Sequence, residues 1–141
     1  FTKNVFSGAS SNTSTASFNA APDFDVEGFL RIAKLNFVRL QAANDEKNLT
    51  DIREFVSPEM YAEIKLQMDE RGDALQQTEV VTLTAELIEQ VAENNSYIAS
   101  VLFSGTMREE STNAEPFKEI WHLTKPINGA SGWKISGIQQ A

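Results

Sequence analysis

Cysteine is absent from this chain of 141 residues, and histidine occurs once, at His122. The first absence excludes disulfides and thiolate metal ligands. The second argues against zinc, whose sites draw on His and Cys. Proline is scarce, with four residues, and no apolar run approaches the roughly 18 residues of a membrane-spanning helix. No glycine-rich phosphate loop and no calcium-loop spacing occur. No metal and no cofactor is therefore expected. Positive charge is also short: 12 Lys and Arg stand against 20 Asp and Glu, a formal net charge of −8. Residues 1–43 carry a net +1, so the remainder holds −9. Such a balance excludes a nucleic-acid phosphate footprint and opposes adsorption to anionic lipid. Its simplest consequence is solubility.

What is present is pattern. The length fits one domain, able to bury roughly two-thirds of its unfolded surface without staples. The chain starts at Phe1 rather than Met and reads as a piece of a longer protein, any targeting or anchoring segment lying elsewhere. Residues 7–22 are small, polar and almost uncharged, so residues 1–22 read as a Ser/Thr/Asn-rich linker before a domain spanning residues 23–141. Phe6 and Phe18 are the groups by which that linker would pack.

Pro22-Asp23-Phe24-Asp25 is a helix start, with acids at the positive end of the dipole. Phe29, Leu30, Ala33, Phe37 and Leu40 then form a helical stripe, and Asn44-Asp45-Glu46 ends it. Val26, Ile32, Leu35 and Val38 lie off the stripe, so the helix is expected to be buried on two sides. A short second helix carries Leu49, Ile52, Phe55 and Val56. Ser57-Pro58-Glu59 starts a third, with Met60, Tyr61, Ile64 and Met68 on one side and Arg71-Gly72-Asp73 as its stop.

From Thr78 the period changes to two. Val81, Leu83, Ala85 and Leu87 share a face, and the phase slips at Leu87-Ile88, where a bulge is expected. Glu93-Asn94-Asn95-Ser96 is a hairpin turn. Tyr97, Ala99, Val101, Phe103 and Met107 follow in one phase, and Arg108 to Glu115 reads as a polar loop. Both tryptophans lie in the last quarter, where Phe117–Leu123 and Gly132–Gln140 flank a Lys125–Gly129 turn as a hairpin. Helices first and an antiparallel sheet last define an α+β fold.

Candidates for chemistry are few. His122 lies in the opposite strand phase to Trp121, with no Ser, Cys or Asp at a telling offset, and reads as a strand-face histidine without a catalytic role. Glu119 shares the phase of Phe117, Trp121 and Leu123. A desolvated carboxylate there would have a raised pKa and act as a base, but the expectation is a Glu119 that is exposed or paired with a basic group. Asn48-Leu49-Thr50 and Asn94-Asn95-Ser96 match the glycosylation pattern, which arises often by chance. On the first helix Arg31, Lys34 and Arg39 flank Phe29, Phe37 and Leu40; three basic residues beside so wide an apolar stripe favour core packing over a membrane interface.

Taken together, Pro22 to Leu30, Ala33, Phe37, Leu40 to Ala42, Asp51 to Phe55 and Ser57 to Met60, with Phe117, Glu119, Trp121-His122-Leu123, Gly132-Trp133 and Gly137 to Gln140, resemble the Tim-forty-four-like domain family over about residues 22–141. The family is named for the C-terminal domain of the membrane anchor of the mitochondrial presequence import motor, and this version looks bacterial. The resemblance implies a cone-shaped, nuclear-transport-factor-two-like α+β fold, its N-terminal helices packed in a curved four-stranded antiparallel sheet around an apolar pocket. It carries no catalytic motif. In mitochondrial relatives the first helices are implicated in contact with membrane lipid; the matching stretch is Asp25 to Ala43.

The function so implied is a non-catalytic binding or scaffold domain of a membrane-associated protein, linked to protein translocation. It would sit at the bacterial inner membrane through segments outside this chain, with the cytoplasmic side preferred. Its partner would be an apolar small molecule, lipid or peptide, and not a nucleic acid, with Phe29, Ala33, Phe37, Leu40, Val101, Phe103 and Trp121 as the lining. The alternative is a ketosteroid-isomerase-like enzyme using Glu119 or His122 with Tyr61 or Tyr97 in the same pocket.

Overall fold

The computed structural model describes residues 24–72, 76–110, 112–129 and 131–141. Three helices precede four strands: α1 (Val26–Asp45), α2 (Leu49–Arg53), α3 (Pro58–Arg71), β1 (Thr78–Glu93), β2 (Ser96–Glu109), β3 (Glu115–Pro126) and β4 (Lys134–Gln140). The strands pair antiparallel in the order β1-β2-β3-β4. This is the expected α+β, nuclear-transport-factor-two-like fold. The linker read over residues 1–22, with Phe6 and Phe18, lies outside the described residues, as does Asp73.

Each helix starts where the sequence places a capping side chain. The Asp25 carboxylate accepts from the Gly28 amide at 3.0 Å, Asn48 from Asp51 at 3.1 Å and Ser57 from Met60 at 3.2 Å, each satisfying an otherwise orphaned donor. The glycosylation-like asparagine Asn48 is thus a helix cap. Gly72, at φ 80°, ends α3 in a conformation that glycine adopts without strain.

Inside the sheet, α1 presents Phe29, Ala33, Phe37 and Leu40 to the core, all at 3 % exposure or less. The Phe37 ring centroid lies 4.7 Å from Phe103, 4.8 Å from Trp121 and 5.4 Å from Phe117. Met60, Ile64 and Met68 of α3 close another side of the core. Tyr61 stays half-buried at its margin, beneath the Arg53 guanidinium at 4.7 Å.

The hairpin turn at Asn94-Asn95 has both residues at positive φ, 53° and 64°, the backbone of a tight two-residue turn that asparagine tolerates. The bulge expected at Leu87-Ile88 is there, as a register shift between Leu87 and Glu89. A second shift, between Val80 and Thr82, was not legible in the sequence. It reverses the local alternation, so Val81, expected on the inner face, is 41 % exposed while Val80 packs on the core. Another correction concerns the polar loop read over Arg108–Glu115: β2 continues to Glu109, where Arg108 pairs with Glu79 across β1, so the connection is shorter.

Gly105 sits where β2 passes closest to β1. A Cβ there would lie 2.1 Å from the Thr82 carbonyl oxygen, and φ is 156°. The far edge of the sheet is tied to the helices: the Ser57 amide donates to the Ile135 carbonyl at 2.8 Å, and the Ile135 amide to the Phe55 carbonyl at 2.9 Å. Val56 and Ile135 accordingly form a parallel bridge, and residues just beyond α2 cap the β4 edge.

Candidate functional site

Three places hold the residues that the sequence marks for chemistry, and the fold keeps them apart. The first is the inner face of β3. Glu119 is fully buried there, against the expectation of an exposed or ion-paired carboxylate. Its register explains this: Glu119 lies opposite Phe103 on one side and Gln140 on the other, in the phase of Trp121 and Leu123 that faces the helices. The Trp121 indole N–H donates to Glu119 Oε1 at 2.9 Å, while Oε2 has no hydrogen-bond partner among the described residues. Burial pushes the Glu119 carboxyl above its ordinary range, opposed by the hydrogen bonds from Trp121 and Gln140. No Arg, Lys or His among the described residues pairs with it.

The second is the outer face of the same strand. His122 Nδ1 lies 2.9 Å from Ser100 Oγ, and Nε2 lies 2.9 Å from Gln139 Oε1. Both ring nitrogens are satisfied when Nε2–H donates to Gln139 and Nδ1 accepts the Ser100 hydroxyl. His122 thus points away from Glu119, as strand alternation requires. Tyr61 lies under Arg53, and Tyr97 lies near Trp133, so neither phenol joins Glu119 and His122 at a common point.

The third place is a groove of about 510 Å3 beside the N-terminal half of α1. One wall is the helix: Gly28, Arg31, Ile32 and Leu35 recur at helical spacing. The other is the end of the sheet, where Tyr97, Gln90, Lys125 and Trp133 meet. Its floor is aromatic. The Trp133 ring is 4.7 Å from Phe29 and 6.2 Å from Phe24, edge-to-face in both cases, and 6.5 Å from Tyr97. Phe24 and Phe29 are themselves 5.5 Å apart.

The groove exists because α1 is not buried on two sides as expected. Ile32, Leu35 and Val38, at three-residue intervals, are 44 %, 65 % and 47 % exposed. Among the described residues no second layer covers this side of the helix, so its second apolar stripe faces outward. Past the groove, Val38 also borders a cleft of about 450 Å3 against Val80, Val81 and Leu83 of β1.

Of the expected lining, Phe29 alone is among the residues bordering these two cavities. Ala33, Phe37, Leu40, Val101, Phe103 and Trp121 pack with one another in the core. Sequence reasoning passed over Phe24, Leu35, Lys125 and Trp133 as site residues. The available signal is the off-stripe series Ile32, Leu35 and Val38, which periodicity alone assigns to a second buried face. Of the basic residues on α1, Arg39 is committed elsewhere: it clamps Asp51 through Nε at 3.1 Å and a second, shorter bond, and lies 4.2 Å over the Phe55 ring. This pairing holds the Asp51 carboxyl below its ordinary value.

Among the described residues no group of His, Asp and Glu is placed to hold a metal ion, and no helix is long and apolar enough to cross a membrane. The fold and the groove together define a nuclear-transport-factor-two-like domain with an apolar concavity beside its first helix. The Tim44-like domain matches residues 10–140, and the chain belongs to that family. No curated protein matches the chain. The family is generally one of non-enzymatic scaffold domains, and membership suggests a membrane-associated domain related to translocation.

Proposed function

We propose that this is a non-catalytic binding domain of a membrane-associated bacterial protein linked to translocation, and that it binds an apolar ligand, lipid or peptide along the outer stripe of α1. The observation that carries this reading is the exposure of Ile32, Leu35 and Val38 beside the aromatic groove. Apolar side chains gathered on one rim of a concavity are a binding surface more readily than a solvated face. Phe29 links the groove to the interior set expected as lining, so a ligand in the groove touches the outer edge of that set. Reaching Ala33, Phe37, Leu40, Val101, Phe103 or Trp121 would require displacing core contacts. Of the basic residues on α1, Arg39 is held by Asp51 and is not available to a ligand at the outer stripe.

The ketosteroid-isomerase-like reading draws on one observation, the buried Glu119 with its raised pKa. Such chemistry needs a donor and a base converging in a cavity that admits substrate. The groups that hydrogen-bond Glu119 are Trp121 and Gln140, and His122, Tyr61 and Tyr97 lie elsewhere. Glu119 reads better as a buried carboxyl anchoring an indole.

Native mass spectrometry of the chain incubated with single-chain lipids and with apolar peptides tests the proposal. An adduct with either, weakened in Ile32→Ser/Leu35→Ser, is the expected result. A chain that takes up neither, or one whose adducts the double substitution leaves untouched, would contradict it.

A further inference from the structure

The groove beside α1 has a second property, and it concerns charge. Arg31 stands on its helix wall and Lys125 on its sheet wall. Neither makes an ion pair among the described residues, whereas Arg39, Lys65 and Arg108 each hold a carboxylate. Among the described residues the acid that borders the groove is Asp25, whose Oδ1 is occupied in capping the Gly28 amide at 3.0 Å. The described lining of the groove therefore carries a net +1 in a chain of net −8. The N-terminus of α1, a helix of 20 residues, adds the positive end of its dipole at the same place. Among the described residues, two cations without an ion pair thus border an aromatic-floored concavity from opposite walls.

We propose that the groove binds a small organic anion: one compact aromatic body, seated against Trp133, Phe29 and Phe24, with a carboxylate, sulfonate or phosphate held between Arg31 and Lys125. The floor rings already meet edge-to-face, at 4.7 Å and 6.2 Å, and a further ring extends that packing. At about 510 Å3 the space falls within the range of about 300–1,000 Å3 that small-molecule sites occupy. It suits one compact molecule and not the paired chains of a bilayer lipid. Arg31 offers a planar fork and Lys125 a mobile ammonium, so one group can orient the anion while the other adapts. The half-exposed rim leaves the head group accessible to solvent, and the attraction is screened by salt.

This inference rests on the reading of the groove as a binding surface, and the test separates the two. Anilinonaphthalene sulfonate and its uncharged parent, phenylnaphthylamine, share a body and differ by the sulfonate. Both are titrated by fluorescence into the full chain at low and high salt, with native denaturation profiles checked in parallel. The sulfonate is expected to bind saturably and roughly tenfold more tightly than the neutral dye at low salt. Arg31→Gln/Lys125→Gln should abolish that preference, so that the two dyes bind alike; Trp133→Phe should weaken both dyes and keep the preference. Equal binding of the two dyes to the native chain, or a preference that survives loss of both cations, would overturn the anion site while sparing the apolar surface. Failure of both dyes to bind would overturn the site and the surface together.

Discussion

Helix α1 carries two apolar stripes of similar composition and opposite fate. Phe29, Ala33, Phe37 and Leu40 are sealed in the core, while Ile32, Leu35 and Val38, each one or two positions away, remain about half exposed or more. Helical geometry, at about 100° per residue, separates the mean directions of the two sets by roughly 155°, over two-fifths of a turn. The difference teaches that apolar character alone assigns neither burial nor function. The inner stripe is constrained by rings it must fit, Phe37 against Phe103, Phe117 and Trp121. The outer stripe is constrained by nothing in the described fold, and that is where a partner has room.

The comparison breaks if the two stripes respond alike to truncation. Trp121→Ala and Phe37→Ala should each destabilise by about 3–5 kcal/mol, the usual cost of deleting a buried aromatic ring. Chemical denaturation measures this, and a loss under about 1 kcal/mol at either position would displace the core. Trp121→Ala also removes the indole donor from Glu119, so it should sit at the upper end.

Next in size is Glu119, a fully buried polar residue of the core. Trp121→Phe keeps most of the ring but leaves Glu119 without its indole donor, a loss on the order of 1–3 kcal/mol. The same carboxyl gives a pH signature. Its folded pKa is raised above the unfolded value, so the folded state holds the proton more tightly. Its contribution is then fully present below the ordinary carboxylate range and is lost as pH rises through the raised value. Glu119→Gln should flatten this decline in stability. An unchanged pH profile in the variant would show that Glu119 is not desolvated.

Smaller again is the Arg39–Asp51 clamp at the foot of α1. Its groups are 45 % and 32 % exposed, so Asp51→Asn should cost under about 1 kcal/mol, and less in high salt. The sign is opposite to that of Glu119. The lowered Asp51 pKa means its contribution is present above the ordinary value and fades as pH falls through the lowered one. Acid titration of stability in the native chain and in Asp51→Asn would show it as a difference confined to low pH. Smallest of all is the outer stripe: Leu35→Ser, at 65 % exposure, should shift stability by no more than about 0.5 kcal/mol.

Much of the fold was legible because local signals agreed with one another. Ser57-Pro58 and Gly72 delimited α3, Asn94-Asn95 marked the β1–β2 turn, and the broken alternation at Leu87-Ile88 marked a bulge. The site was less legible, because exposure depends on how many layers cover an element, which no local pattern records. Ile32, Leu35 and Val38 carry the same signal whether a second layer covers them or not. Glu119 erred in the other direction. Its strand phase placed it inward, yet a lone carboxylate in a core is costly enough that an exposed position was the natural expectation. What offsets the cost, the Trp121 indole N–H two residues along the same strand, is visible only once the side chains are placed. The strand pattern includes Trp133, but that residue precedes β4 and its ring closes the groove floor.

The central claim is that binding belongs to the outer stripe and the groove, and stability to the inner stripe. Chemical-shift mapping by NMR during a titration with phenylnaphthylamine tests it most directly, since every position reports in one experiment on the native chain. Shifts concentrated at Ile32, Leu35, Tyr97 and Trp133, with Phe37, Leu40 and Val101 unmoved, are the predicted result. Shifts centred on Phe37, Phe103 and Glu119, with Leu35 and Trp133 unmoved, would contradict it and place the ligand inside the core.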